Sequence, residues 1–366
     1  MRASFDRWWL LPLAILVASA LVALGIVVFE PSFIDRSSGE VAHRGASEVA
    51  VADCSGSLSA DYACHQQHYQ DLVRESGVEA AFAELKDDNE KNELAKANCH
   101  QLAHVIGRAA AERYGDLSST YGRGDNFCFA GYYHGAMETF VTNLGADRIL
   151  EEADTLCTDL RGEHQQYSFY HYNCVHGLGH GFMGVLENEL FEALEACDVL
   201  PDAWERDNCY GGVFMENIMT ERNNTGHTSK YLDADRPLYP CTEVETRYKN
   251  RCYLNQTSYA IEMQDEDVAK VFDLCATAVE DDSRPACYKG LGKYADAQSL
   301  TDVAKTEEIC MLGQDYDARV NCLIGAVGHS IAFYQSDEQA KALCRSVEVG
   351  LRDRCLRASE EFYETL

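Results

Sequence analysis

Basic side chains are scarce in this sequence. Its 366 residues include 31 lysines and arginines against 60 aspartates and glutamates, a formal charge of −29. Nucleic-acid binding needs a basic footprint over the phosphates, so no nucleic acid is expected as a partner, and a polybasic membrane patch is equally disfavoured. Proline is nearly absent, with 6 in the chain, which suits long helices that proline would interrupt. No C-x-x-C occurs, which removes thioredoxin-like redox sites, zinc ribbons and c-type haem attachment. H-E-x-x-H, G-x-S-x-G and the P-loop are missing too, so the common zinc-protease, serine-hydrolase and nucleotide-phosphate motifs are not in play.

Cysteine, by contrast, is abundant: 16 residues, an even number. Residues 8–29 carry no charged side chain, and 22 residues make a helix of about 33 Å, long enough to span a bilayer. Arg2 and Arg7 precede this run, and Glu30 and Asp35 follow it. The positive-inside tendency then leaves residues 1–7 in the cytoplasm, makes 8–29 a transmembrane signal-anchor and exports the rest of the chain to the periplasm or cell exterior. A cleaved signal peptide is the rival, because Ala18-Ser19-Ala20 has the small-residue pattern, but that triplet sits inside the apolar run. Residues 30–50 form a flexible tether. In an exported chain, cysteines are expected in disulfides rather than as thiolate metal ligands.

The cysteines are also periodic. In the second half they fall in pairs 11 or 12 apart: Cys197 with Cys209, Cys241 with Cys252, Cys275 with Cys287, Cys310 with Cys322, and Cys344 with Cys355. First members follow one another at steps of 44, 34, 35 and 34, a period typical of stacked supersecondary units. A basic residue stands three before each second cysteine (Arg206, Lys249, Arg284, Arg319, Arg352), and glycine stands three after it in Gly212, Gly290 and Gly325. Cys157 and Cys174 extend the template backwards. Cys128 fits it as well and Cys99 more loosely, while the pairing of Cys54, Cys64, Cys99 and Cys128 stays open. Each unit is expected to be two helices, the first ending at its cysteine, with a disulfide stapling the hairpin. Closing such a loop is worth about 3 kcal/mol in the chain-entropy account.

The fold expected is therefore all-α: disulfide-stapled helical-hairpin repeats, stacked as an α/α solenoid or a curled array. Residues 51–190 form a diverged section and 191–366 a regular one. At the level of architecture this is similar to Sel1-like or tetratricopeptide-like repeats, without the signature residues of either.

Histidine concentrates in three short motifs. These are His100 and His104 after Cys99, His134 and Glu138 after Cys128, and His176 and His180 after Cys174. Residues four apart share one helix face, and His134 and His180 both stand six after the second cysteine of their units. Stacked units set such positions side by side. Glu216 stands one place further on in the next unit, and His329 holds the place of Glu216 in a later one. The candidate metal ligands are therefore His100, His104, His134, Glu138, His176, His180 and Glu216. Imidazole and carboxylate without thiolate suit zinc, iron or copper. The bland alternative is a buried polar network. Gly135, Gly177, Gly179 and Gly181 crowd these histidines, providing either close helix contact or room for a ligand.

His65 and His68 are expected at the surface, and Asn223 and Asn255 begin glycosylation sequons. Three functions follow. The first is a membrane-anchored extracytoplasmic metalloprotein with hydrolytic or oxidative activity. The second is an interaction scaffold offering a protein partner a concave repeat surface. The third is metal storage or delivery.

Overall fold

The computed structural model describes residues 58–161, 168–222, 229–279, 283–299, 302–334 and 336–364. Among them there are helices and turns but no strand. The expected membrane segment 8–29 and tether 30–50, Cys54 and the sequon at Asn223 lie outside the described residues. Among the described residues no helix is long and apolar enough to cross a membrane.

A row of long helices carries the core: α1 (Leu58–Ser76), α4 (Cys99–Tyr114), α6 (Gly131–Leu144), α8 (Phe169–Val185), α10 (Ala203–Arg222), α11 (Thr246–Met263), α13 (Ser283–Ser299), α15 (Tyr316–Tyr334) and α17 (Val349–Glu364). Each packs against the next in this order. Shorter helices connect them: α2 (Val78–Lys91), α3 (Glu93–Ala97), α5 (Leu117–Tyr121), α7 (Ala146–Leu156), α9 (Leu190–Cys197), α12 (Val268–Ala276), α14 (Val303–Cys310) and α16 (Glu338–Ser346). Side-chain oxygens start several of them. Asn92 accepts from the Leu94 and Ala95 amides, Asp302 from those of Ala304 and Lys305, and Ser168 from that of His171 at the head of α8.

Disulfides join Cys157–Cys174, Cys197–Cys209, Cys241–Cys252, Cys275–Cys287, Cys310–Cys322 and Cys344–Cys355. Cys99 pairs with Cys128, and Cys64 is disulfide-bonded as well. From Cys157 onward the bridges tie the end of a connecting segment to the following long helix, whereas Cys99–Cys128 joins the start of α4 to the turn before α6. Cys241 departs from the two-helix expectation: it sits in a turn between residues 236 and 245, not at a helix end. Replacing both Cys310 and Cys322 by serine should lower unfolding free energy by about 3 kcal/mol; denaturant titration under non-reducing conditions measures it.

Glycine sets the spacing of three helix pairs. A Cβ at Gly135 would lie 2.1 Å from the His104 carbonyl oxygen, pinning α6 against α4. In α8 and α10, a Cβ at Gly179 would lie 2.2 Å from the Cys209 carbonyl oxygen, and one at Gly212 2.0 Å from that of His176. The same two contacts recur between α13 and α15, from Gly292 to Cys322 at 1.8 Å and from Gly325 to Lys289 at 1.9 Å. Backbones this close exclude any side chain. Gly177 and Gly181 are filled as well, by Met137 and Val141 at 2.7 and 2.6 Å. All four glycines near the histidines therefore serve close packing.

The row turns back on itself. Asn126, between α5 and α6, donates to the Phe333 carbonyl of α15 at 2.8 Å. Phe129 packs on Phe333 and His329, with ring centroids 5.0 and 5.6 Å apart.

Candidate metal centre

The glycine-tight crossings bring five imidazoles together. His100 and His104 come from α4, His134 from α6, and His176 and His180 from α8. His104, His134, His176 and His180 are 2–4% exposed. Helical spacing puts each pair of four on one face, and the missing side chains at Gly135 (toward α4) and at Gly177 and Gly181 (toward α6) let those faces meet.

Two triads share His134. In the first, His100, His104 and His134 have ring centroids 4.7, 5.4 and 5.5 Å apart. In the second, His134, His176 and His180 are 5.1, 4.7 and 5.2 Å apart. Three imidazoles bound tetrahedrally to one zinc at 2.0–2.1 Å have centroids about 5 Å apart. In each triad one ligand nitrogen per residue lies within 4.8 Å of the others. A third group, Glu138, His180 and Glu216, meets the same distance test.

The outer nitrogens are committed. His100 Nδ1 donates to the Cys128 carbonyl at 2.8 Å, and His176 Nδ1 to the Asn208 carbonyl at 3.2 Å. His104 Nδ1 lies 2.8 Å from Glu138, whose other oxygen accepts from Arg108, also at 2.8 Å. His180 Nδ1 lies 2.7 Å from Glu216. Carbonyls and ionised carboxylates only accept, so all four rings carry their proton on Nδ1 and turn the Nε2 lone pair away from these partners. The two glutamates, expected from sequence as ligands, accept from Nδ1 of His104 and His180 here, and with His180 they also form the third group within metal-holding distance.

The inner nitrogens are left with lone pairs. His100 Nε2 and His104 Nε2 face each other at 3.1 Å, and with both rings neutral and protonated at Nδ1 they are two acceptors. His180 Nε2 and His134 Nδ1 are buried and, among the described residues, have no hydrogen-bond partner. A proton on His100 would supply a donor, but burial opposes it. Burial, and then the neighbouring His104, push His100 down to about 3. Burial and the surrounding imidazoles hold His134 and His176 well below the ordinary histidine range.

These depressed values predict acid sensitivity of the metal-free protein. Unfolded histidine titrates near 6.5, so below that pH the unfolded chain binds protons that folded His100, His134 and His176 refuse. Stability is then full above about pH 6.5 and falls as pH drops toward the folded values. Thermal melts of chelator-treated protein between pH 7.5 and 5 should show a falling midpoint, and a flat profile would contradict it.

The backbone near His100 is unusual. Cys128, Phe129 and Ala130 all have φ of 58–59°, a left-handed run that side chains disfavour by about 1–2 kcal/mol each. This turn aims the Cys128 carbonyl at His100 and is pinned to α4 by the Cys99–Cys128 bridge. Nothing in the sequence announced it.

Other sequence candidates fall elsewhere. His329 is not in the cluster; its Nδ1 meets Asp296 at 2.7 Å. His65 is buried, 7% exposed, rather than on the surface, and His68 pairs with Glu84 at 2.6 Å. Asn255 is also buried, with its amide nitrogen donating to the Arg251 carbonyl, so its sequon offers no glycan acceptor in the folded protein. Compared with known protein families, curated proteins and solved structures, the chain matches none.

Proposed function

We propose that this protein is a membrane-anchored, extracytoplasmic metalloprotein whose cation sits among His100, His104, His134, His176 and His180. The observation that carries this reading is the 3.1 Å approach of His100 Nε2 to His104 Nε2 with both outer nitrogens already donating. Two lone pairs at that distance repel across a buried site. A cation between them converts the repulsion into two bonds, and ligands at 2.0–2.1 Å in tetrahedral array stand about 3.3 Å apart. A polar network kept for structure alone has no such reason to face acceptors at each other.

Glu138 and Glu216 act one step out. Each holds the Nδ1 proton of a ligating imidazole, which fixes the ring and raises its basicity. Zinc, iron and copper all suit the imidazole set. With zinc on three imidazoles, a bound water reaches a pKa of about 7 and hydrolysis is the activity supplied; with iron or copper it is oxidation. Burial of the site favours a resident ion over storage or delivery. The disulfides fit an oxidising compartment, and residues 8–29 supply the proposed membrane anchor.

The full chain, purified in detergent and dialysed against metal-free buffer, should retain zinc, iron or copper in at least stoichiometric amount by elemental analysis. Metal that dialyses away would leave the interaction scaffold as the better account. Glu138→Gln should weaken retention by about 10–100-fold without removing it, the usual effect of losing an orienting carboxylate; competition with a chromophoric chelator reads it.

A further inference from the structure

One imidazole of the cluster has no outer partner. His100, His104, His176 and His180 each commit Nδ1 to a carbonyl or a carboxylate. His134 is 3% exposed, its Nδ1 is buried without a hydrogen bond, and among the described residues none is made at its Nε2 either. Buried side-chain nitrogens are ordinarily hydrogen-bonded, and an ion is one of the few things that satisfies one that is not.

The order of the helices places this ring. α6 packs on α4 through Gly135 and on α8 through Met137 and Val141, which fill the space at Gly177 and Gly181. His134, on the middle helix, therefore belongs to one triad with the α4 pair and to another with the α8 pair. At the 4.8 Å limit the five imidazoles form two groups of three, not one group of five. Donors on a single ion at 2.0–2.1 Å stand at most about 4.2 Å apart, so one ion does not take all five where they stand. The ring contact that links the triads other than through His134, from His104 to His180, is 6.1 Å between centroids, wider than any pair within a triad.

We propose that the centre holds two divalent transition-metal cations, one on His100 and His104 and the other on His176 and His180, with His134 bridging them through one ring nitrogen to each. Neutral His134 carries one N–H, and that proton passes to solvent as the second cation binds. The ions stand about 6 Å apart, the span of the ring nitrogens plus a bond of 2.0–2.1 Å at each end. That is wider than the 3.5–4 Å of two-metal hydrolytic sites, so no single oxygen bridges them. Each ion has three imidazoles and an open fourth position of its own. The Glu138, His180 and Glu216 group is the weaker place for the second ion, because His180 Nδ1 already donates to Glu216 at 2.7 Å, whereas His134 has no partner to give up. The inference rests on the metal reading above and adds the number of ions and the bridge.

The full chain in detergent is stripped with chelator, saturated with copper(II) and dialysed. The wild type should retain two coppers. Electron paramagnetic resonance at liquid-helium temperature should then integrate to well below one spin per copper, because a bridging imidazolate pairs the two spins. His176→Ala should retain one copper with its full signal, and Glu216→Gln at saturating copper should keep the silent pair. A wild type that holds a single copper, or two with the signal of independent spins, overturns the bridge and leaves the metal reading standing. Loss of the second copper in Glu216→Gln does the same, since it puts that ion on the carboxylates. A wild type that retains no copper removes both readings. The wild-type measurement decides the bridge by itself if a variant fails to fold.

Discussion

His134→Ala should lose more metal affinity than any other single substitution in this protein. His134 is common to both imidazole triads, and its ring lies within 5.5 Å of His100, His104, His176 and His180. The other four belong to one triad each, so removing one of them leaves the opposite triad whole. Losing an orienting group typically costs 10–100-fold in affinity, so losing the shared ligand should cost more than about 100-fold. His100→Ala and His176→Ala should cost less than His134→Ala. Chelator competition with all three variants gives the ranking, and equal effects would mean that the triads do not share a ligand. Far-ultraviolet circular dichroism should be unchanged in each case, since alanine is a good helix former in α4, α6 and α8 alike.

Gly135→Ala should be nearly as damaging by a different route. The added methyl would lie 2.1 Å from the His104 carbonyl oxygen and 2.7 Å from its Cα. Backbone cannot swing aside as a side chain does, so α4 and α6 must move apart. Overpacking typically costs about 1–3 kcal/mol; this contact is with main chain, so the upper end or beyond is expected. The shift also separates His104 from His134, which couples the stability loss to a metal loss. Gly115→Ala is the contrast: a Cβ there meets nothing within 4 Å, but φ is 77°, so it should cost about 1 kcal/mol by strain alone and leave the metal in place. Denaturant unfolding and metal retention measured on both variants separate crowding from strain.

Much of this site is legible in the sequence because helical spacing is a strong constraint. His100 with His104, and His176 with His180, share a face by being four apart, and the period of the cysteines aligns His134 with His180. The structure stacks those last two rings 4.7 Å apart and 19° from parallel. Spacing fixes a face but not which ring nitrogen points inward. That choice is made by the Cys128 and Asn208 carbonyls, main-chain acceptors carried by every residue type. For the same reason spacing alone does not divide the roles of Glu138 and Glu216: a carboxylate near an imidazole has the same pattern whether it binds the ion or holds the imidazole proton. The glycines were ambiguous between crowding and space because a missing side chain is compatible with both until the neighbouring helix is placed. His329 followed the template into an equivalent position, but α15 meets α13 there, and the partner is Asp296.

X-ray absorption at the edge of whatever transition metal the purified full chain retains tests the central claim most directly. A first shell of three or more imidazole nitrogens at about 2.0–2.1 Å, with the outer-ring scattering of histidine, is the result expected, and it should collapse in His134→Ala. A shell of water and carboxylate oxygens without imidazole scattering, or a protein that retains no metal at all, would contradict it.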